Sequence, residues 1–214
     1  DLHRGDRRQR QMCIRDSLFR MVKLRSMVVD ADKSGVDSTA GNDPRITAVG
    51  RIIRKFKLDE LTQLWNVLWG DMSLVGPRPN LERETTRYTS EEQKLLSVKP
   101  GITDLASIVF ADEGEILSNK PDPDLAYHQL IRPWKNRLAL LGLAHQSIWL
   151  DLRIVFLTAL TIFSRERALA RVGRILTELG ADEQLKKIAA RRDPLIPFPP
   201  PGATEIVQDR KVKV

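Results

Sequence analysis

Between Leu58 and Leu68 the apolar residues Leu58, Leu61, Leu64, Trp65 and Leu68 recur at three- and four-residue intervals, the spacing that gathers side chains on one face of an α-helix. Asp59, Gln63 and Asn66 fall on another face. The pattern predicts a rigid helix that buries its leucines and presents a polar edge. Gly70-Asp71 then reads as a helix stop, and Gly76-Pro77-Arg78-Pro79 follows. Each proline there fixes its own φ and biases the preceding residue away from helix, so Arg78 stands on stiff backbone. A plain structural turn is the alternative for that tetrapeptide.

A chain of 214 residues with 42% hydrophobic content and four Trp can bury a sizeable core, which excludes global disorder. Cys13 is the sole cysteine. An internal disulfide and a cysteine-based zinc site are therefore excluded, and a reducing, cytoplasm-facing setting fits. His3, His128 and His145 are too widely spaced to suggest a metal site. The balance of 35 Lys+Arg against 28 Asp+Glu, net +7, favours anionic partners: nucleic acid, phospholipid surfaces or nucleotide phosphates. No secretory signal is visible. The longest uncharged apolar run, Ile154 to Phe163, would span about 15 Å as a helix, half of a hydrocarbon core of ~30 Å.

Residues 1–17 are arginine-rich and aperiodic, and read as a disordered or non-native leader. Residues 18–163 form the expected catalytic domain. Within it, 18–30 alternates apolar and basic residues, as an extended segment with Lys23 and Arg25 on one side. Residues 31–44 are a polar loop, 45–57 a basic helix, and the charged stretch from Pro79 to Leu96 a further helix. Ile108-Val109-Phe110 reads as a strand, Pro121 to Asp124 as the start of a helix carrying Tyr127, and Ser147 to Phe163 as the most apolar helix. Residues 164–192 carry eight Lys+Arg against four Asp+Glu and read as a basic amphipathic helix interrupted near Gly180. Residues 193–214, rich in proline, read as a disordered, polyproline-type tail. The fold class expected is α+β and mostly helical: a compact catalytic domain with a short β element and peripheral amphipathic helices.

Asp59 and Glu60 occupy a first helical turn, where free N–H groups favour carboxylates. Helix initiation alone would account for them. Arg54, Lys55 and Lys57 directly precede the pair, however, and such a clamp is what a carboxylate needs before it can attack a phosphoryl group. A divalent cation shared with an acidic side chain commonly assists that chemistry.

These residues resemble a known family, the bacterial sugar transferases, monotopic polyprenyl-phosphate phosphoglycosyl transferases. The resemblance runs from about Phe19 to Phe163. It rests on Val22 to Met27, on Asp43, Arg45, Thr47, Gly50 and Arg54, on Leu58-Asp59-Glu60-Leu61 with Gln63 and Asn66, on Gly70 through Pro79, and on Pro100-Gly101-Ile102-Thr103. It implies transfer of a phosphosugar from a UDP-sugar to undecaprenyl phosphate with release of UMP, at the cytoplasmic face of the bacterial inner membrane. It further implies Asp59 as the nucleophile of a phosphosugar-enzyme intermediate and Glu60 as catalytic partner and ligand of Mg2+. Pro77, Arg78 and Pro79 become a nucleotide-binding wall, and Lys23, Arg25, Arg45 and Arg54 contacts for phosphate. The expected partners are UDP-sugar, polyprenyl phosphate and a membrane surface, with no nucleic acid; self-association stays open. The family's membrane-inserting helix is expected before Phe19, and the chain does not supply it there. Thr62 stands where many relatives have proline, which lets the helix run on, and Asp104 to Ser107 differ from the common continuation. Two other readings are a basic nucleic-acid binder, whose helix-turn-helix would span residues 58–95, and an inactive truncated scaffold of the same fold.

Overall fold

The computed structural model describes residues 10–13, 17–29, 31, 39, 43–56, 58–80 and 82–209. Its elements are β1 (Arg10–Cys13), β2 (Ser17–Arg20), α1 (Ala48–Lys55), α2 (Leu58–Leu61), α3 (Leu64–Leu68), β3 (Ser73–Val75), α4 (Glu82–Thr85), α5 (Ser90–Gln93), β4 (Gly101–Thr103), α6 (Leu105–Val109), α7 (Glu113–Leu117), α8 (Pro123–Ala126), α9 (Arg132–Ala144), α10 (Ile148–Phe163), α11 (Arg165–Glu178) and α12 (Glu183–Ala189). The fold is α+β and mostly helical.

The largest apolar core lies after residue 104. Leu105, Ile108 and Val109 of α6, Trp134 and Leu138 of α9, and Val172, Ile175 and Leu176 of α11 are all buried together. The strand expected at 108–110 is therefore the end of a helix. Asp104 caps α6 by accepting from the Ser107 N–H, and every other face is covered, so a short apolar run carried no helical period to read. α11 belongs to this core rather than lying outside it. It ends in a Schellman turn at Gly180 (φ +70°), where the Ala181 N–H reaches the Leu176 carbonyl.

β3 and β4 pair in parallel, Ser73 opposite Gly101 and Val75 opposite Thr103. Just past β3 the two chains nearly touch: a Cβ on Gly101 would lie 2.1 Å from the Gly76 nitrogen, and one on Gly76 would lie 2.7 Å from the Lys99 carbonyl oxygen. Glycine at both positions lets the Gly101 N–H donate to the Pro77 carbonyl and fixes the root of the Pro77-Arg78-Pro79 segment.

Part of the expected leader is ordered. Arg10–Cys13 pairs antiparallel with Ser17–Arg20, a backbone ladder that hydrophobic alternation does not reveal; residues 1–9 and 14–16 lie outside the described residues. The helix expected from Pro79 to Leu96 is broken in two. Thr89 restarts it with a capping box in which Thr89 and Glu92 satisfy each other's backbone N–H groups. Residues 193–209 of the C-terminal tail are also ordered, and 210–214 lie outside the described residues. Phe198 stacks on Trp134 with centroids 4.4 Å apart, the Thr89 hydroxyl donates to the Pro201 carbonyl at 2.5 Å, and Gln129 donates to the Val207 carbonyl. Proline-rich composition gave extended backbone, but Phe198 and Val207 supply apolar anchors that a disordered tail lacks.

His128 lies in this packed region, 3.5 Å from Glu84, which itself faces Arg87. Burial first, then Arg132 and Arg87, push its pKa from 6.5 down to about 4, with Asp124 and Asp122 pulling weakly the other way. The unfolded chain takes up this proton at higher pH than the folded one. Stability is thus present above the unfolded value and is lost as pH falls towards 4. Denaturant titrations of His128→Gln at pH 7 and pH 4.5 are expected to show an acid-induced loss about 2 kcal/mol smaller than wild type.

α10 has two faces. Leu150, Ile154 and Leu157 enter the core, whereas Trp149, Phe156 and Phe163 are exposed. No described helix is long and apolar enough to cross a membrane.

Candidate active site

Asp59 and Glu60 lie side by side on α2, and the structure brings a cation to each. Lys23 Nζ stands 3.2 Å from Asp59 Oδ2, and Arg78 Nη1 donates to Glu60 Oε1 at 2.8 Å. Asp59 is only 6% exposed. Arg54 is fixed next to them by an Nε bond to the Ser26 hydroxyl at 2.9 Å. Three cations from three separate segments thus surround two carboxylates. The excess positive charge suits a multiply charged anion.

The pKa values follow from this crowding. Burial, then Arg78, lower Lys23 below its ordinary 10.5 against the pull of Asp59. Burial also lowers Arg54, while Asp59 and Asp43 oppose that shift. Burial disfavours charge on Arg78 as well, but the Glu60 carboxylate beside it outweighs that cost and raises its pKa. Arg78 stays cationic at any working pH.

The helix that carries these groups is turned opposite to its expected orientation. Asp59, Gln63 and Asn66 are buried at 6%, 3% and 0%, while Leu61, Leu64, Trp65 and Leu68 are exposed, Leu68 at 74%. Helical spacing identifies two faces and does not say which one faces inward. Here the polar face is inward because it holds the site and the backbone at 20–22, where β2 ends: Asn66 donates to the Arg20 carbonyl and accepts from the Val22 N–H. Nor does the helix run on through Thr62. It breaks at Thr62–Gln63 between α2 and α3, and α3 then ends in a Schellman turn at Gly70 (φ +83°), with the Asp71 N–H on the Asn66 carbonyl.

Other expected residues are placed differently. Arg45 folds back onto Asp43, with Nε 3.0 Å from Oδ1 and Nη2 2.6 Å from Oδ2, and donates to the Ala31 carbonyl, so it ties a loop rather than facing Asp59. Arg25 is exposed. Lys57 lies outside the described residues. Pro77, Arg78 and Pro79 line a pocket together with Asp104, Tyr127 and Lys135, residues the sequence reading missed as site residues. Lys135 donates to Glu113 at 2.8 Å, and that carboxylate outweighs the cost of burial and raises its pKa. The readable signal was a lysine eight residues after Tyr127, on the same face of an apolar helix.

Among the described residues no group of three or more His, Cys, Asp or Glu is placed to hold a metal ion. Mg2+ does not require such a cage. It commonly takes one or two carboxylates with substrate phosphates and water, and the adjacent Asp59-Glu60 pair offers oxygen donors of that kind.

The bacterial sugar transferase family matches residues 7–165 of the chain, starting within the segment set apart as a leader. The chain belongs to the bacterial sugar transferase family. It is 40% identical over 153 residues to a UDP-glucose:undecaprenyl-phosphate glucose-1-phosphate transferase of Klebsiella pneumoniae, covering 68% of this chain and 30% of that protein. It is 39% identical over 152 residues to the galactosyl transferase CpsE of Streptococcus agalactiae, covering 66% and 30%. It is 37% identical over 166 residues to an undecaprenyl-phosphate galactose phosphotransferase of Salmonella typhimurium, covering 71% and 32%. The chain therefore spans about a third of the length of these curated relatives. The matched region ends at α11, so most of α11, α12 and the ordered tail lie beyond it.

Proposed function

We propose that this sugar transferase carries the catalytic core that moves a phosphosugar from a UDP-sugar to undecaprenyl phosphate. The observation that carries the reading is the buried Asp59 held against Lys23, with the Glu60–Arg78 pair on the same helical turn. Asp59 attacks the sugar-bearing phosphorus, forming an aspartyl O–P bond and breaking the bridging P–O bond, so that UMP leaves. A phosphate oxygen of the polyprenyl acceptor then attacks the same phosphorus and displaces Asp59, giving a lipid-linked sugar diphosphate.

The side chains divide this work. Lys23 holds the Asp59 carboxylate in place and offsets the repulsion between it and the incoming diphosphate. Arg54 and Arg78 neutralise the phosphate oxygens as charge shifts to the leaving group. Pro77 and Pro79 keep Arg78 on stiff backbone. Glu60 would hold Mg2+, which when bound neutralises phosphate charge beside the nucleophile. Arg25 and Arg45 are left outside this constellation.

The exposed apolar residues fit the proposed lipid acceptor. Ile52 and Phe56 near α1, Trp65 and Leu68 of α3, and Trp149 and Phe156 of α10 point outward, with Arg51 and Lys55 exposed among them. We assign these surfaces to the cytoplasmic face of the bacterial inner membrane, where basic residues meet anionic headgroups. A helix-turn-helix has less support: its second helix is reduced to two separate four-residue segments, α4 and α5.

The test is UMP release by the protein in vesicles containing undecaprenyl phosphate. Release is expected to require both a UDP-sugar and Mg2+, to fall to background with EDTA and to return when Mg2+ is restored. UMP release unaffected by EDTA would remove Glu60 from its metal role.

A further inference from the structure

Residues 21–26 carry Lys23 to Asp59, yet they belong to no sheet. A part-buried backbone without a ladder finds its hydrogen bonds elsewhere. The Ser26 carbonyl accepts from the Thr47 N–H, and the stretch next to Lys23 is held by side chains of the opposing helical segment. Asn66, fully buried, meets the Arg20 carbonyl and the Val22 N–H, both at 2.8 Å, much as a neighbouring strand would. The Thr62 hydroxyl lies 3.1 Å from the Val22 carbonyl oxygen and 3.0 Å from the Asp59 carbonyl oxygen. One hydroxyl proton is thus shared between the backbone of the nucleophile's residue and that of the residue immediately before Lys23.

We propose that Thr62 is a positioning residue which, with Asn66 as the fixed support, sets the Lys23 ammonium against the Asp59 carboxylate. This inference rests on the reading of Asp59 as the nucleophile. Lys23 has a long, flexible stem, and its side chain remains a third exposed at 33%. Its 3.2 Å approach to Asp59 therefore depends on where residue 22 is pinned. Asn66 pins it in the plane of a strand-like pair, and Thr62 ties it to the turn that bears Asp59. The break of the helix at Thr62 follows the same logic, because a threonine there turns its hydroxyl to both carbonyls.

The test uses Thr62→Val, which keeps the shape and deletes the hydroxyl, and Thr62→Ser, which keeps the hydroxyl. Asn66 is left intact because its removal strips the segment at 20–22 of two partners. Single-turnover UMP release is measured in the wild-type and Lys23→Gln backgrounds, with KM for the UDP-sugar and thermal unfolding alongside. Thr62→Val is expected to slow release about tenfold with KM within about twofold of wild type, as small misplacements of reacting groups do. Thr62→Ser is expected to restore the rate. In the Lys23→Gln background the valine substitution should cost less than about twofold, since two residues acting through one contact are not additive. Equal cost in both backgrounds, no cost in either, or no rescue by serine overturns the proposal. Asp59→Asn run in parallel separates the two levels: normal turnover there removes the nucleophile reading, whereas a dead Asp59→Asn with unaffected Thr62→Val removes only the positioning role.

Discussion

Asp59→Asn is expected to abolish UMP release, by roughly 10^4-fold or more, the scale on which removal of a covalent nucleophile acts. An amide of the same shape retains little nucleophilicity, so Glu60, Arg54 and Arg78 would be left around a group that cannot attack. The protein itself should survive the change. The side chain sits in a first helical turn, where the loss of its charge costs about 0.3–1 kcal/mol, and the uncompensated Lys23 retains one-third exposure to water. Steady-state release and thermal unfolding measured on the same preparation check both halves. A folded Asp59→Asn with wild-type turnover would take the central carboxylate out of the chemistry.

The largest effect on stability is expected far from that carboxylate. Glu92, fully buried, accepts from Arg132 Nε at 3.0 Å and Nη2 at 2.5 Å, from Asn136 Nδ2 at 2.6 Å and from the Thr89 N–H at 3.0 Å. Arg132 also donates to the Arg87 carbonyl and stacks over Tyr88, so one guanidinium joins α9 to the α4–α5 segment. Arg132→Met leaves a buried carboxylate without its cation and is expected to cost about 3–5 kcal/mol in chemical denaturation. Pairing it with Glu92→Leu should recover most of that loss, because the penalty comes from the stranded charge rather than from the absent attraction. A single Arg132→Met that unfolds within about 1 kcal/mol of wild type contradicts this account of how the two segments are joined.

What could be read from the residues beforehand depended on the kind of signal. Two helices were legible from composition, the basic 45–57 and the apolar 147–163, and they contain α1 and α10; the caps Thr47 and Ser147, each accepting from a backbone N–H three residues on, sharpen where these helices start. Periods without an outside reference misled. Leu58 to Leu68 show two faces, and the spacing alone does not say which one is inward; here it is the polar one. Short runs buried on all sides, such as Ile108 to Phe110, carry no period at all. The ordered tail depends on contacts such as Phe198 with Trp134 that lie far apart along the chain.

The candidate site divides in the same manner. Asp59, Glu60 and Arg78 stood out because adjacent acids and a proline-locked arginine are local features. Lys23 and Arg54 were named through the family resemblance, and the structure gathers them near the acids. Arg25 and Arg45 were named through the same resemblance; the structure leaves Arg25 exposed and pairs Arg45 with Asp43. Lys135 and Asp104 were missed because only the tertiary packing of α9 and α6 brings them to the pocket beside Arg78. The inward turn of Asn66 and Thr62 was likewise invisible, since it depends on a strand-like segment forty residues earlier that has no sheet of its own.

The most direct measurement is mass spectrometry of the protein after incubation with a UDP-sugar and Mg2+ in the absence of any polyprenyl acceptor. The account predicts one phosphosugar added per chain, mapped by peptide sequencing to Asp59, absent from Asp59→Asn and discharged when undecaprenyl phosphate is supplied. UMP formed at full rate upon acceptor addition with no adduct beforehand, or an adduct on a residue other than Asp59, would contradict it.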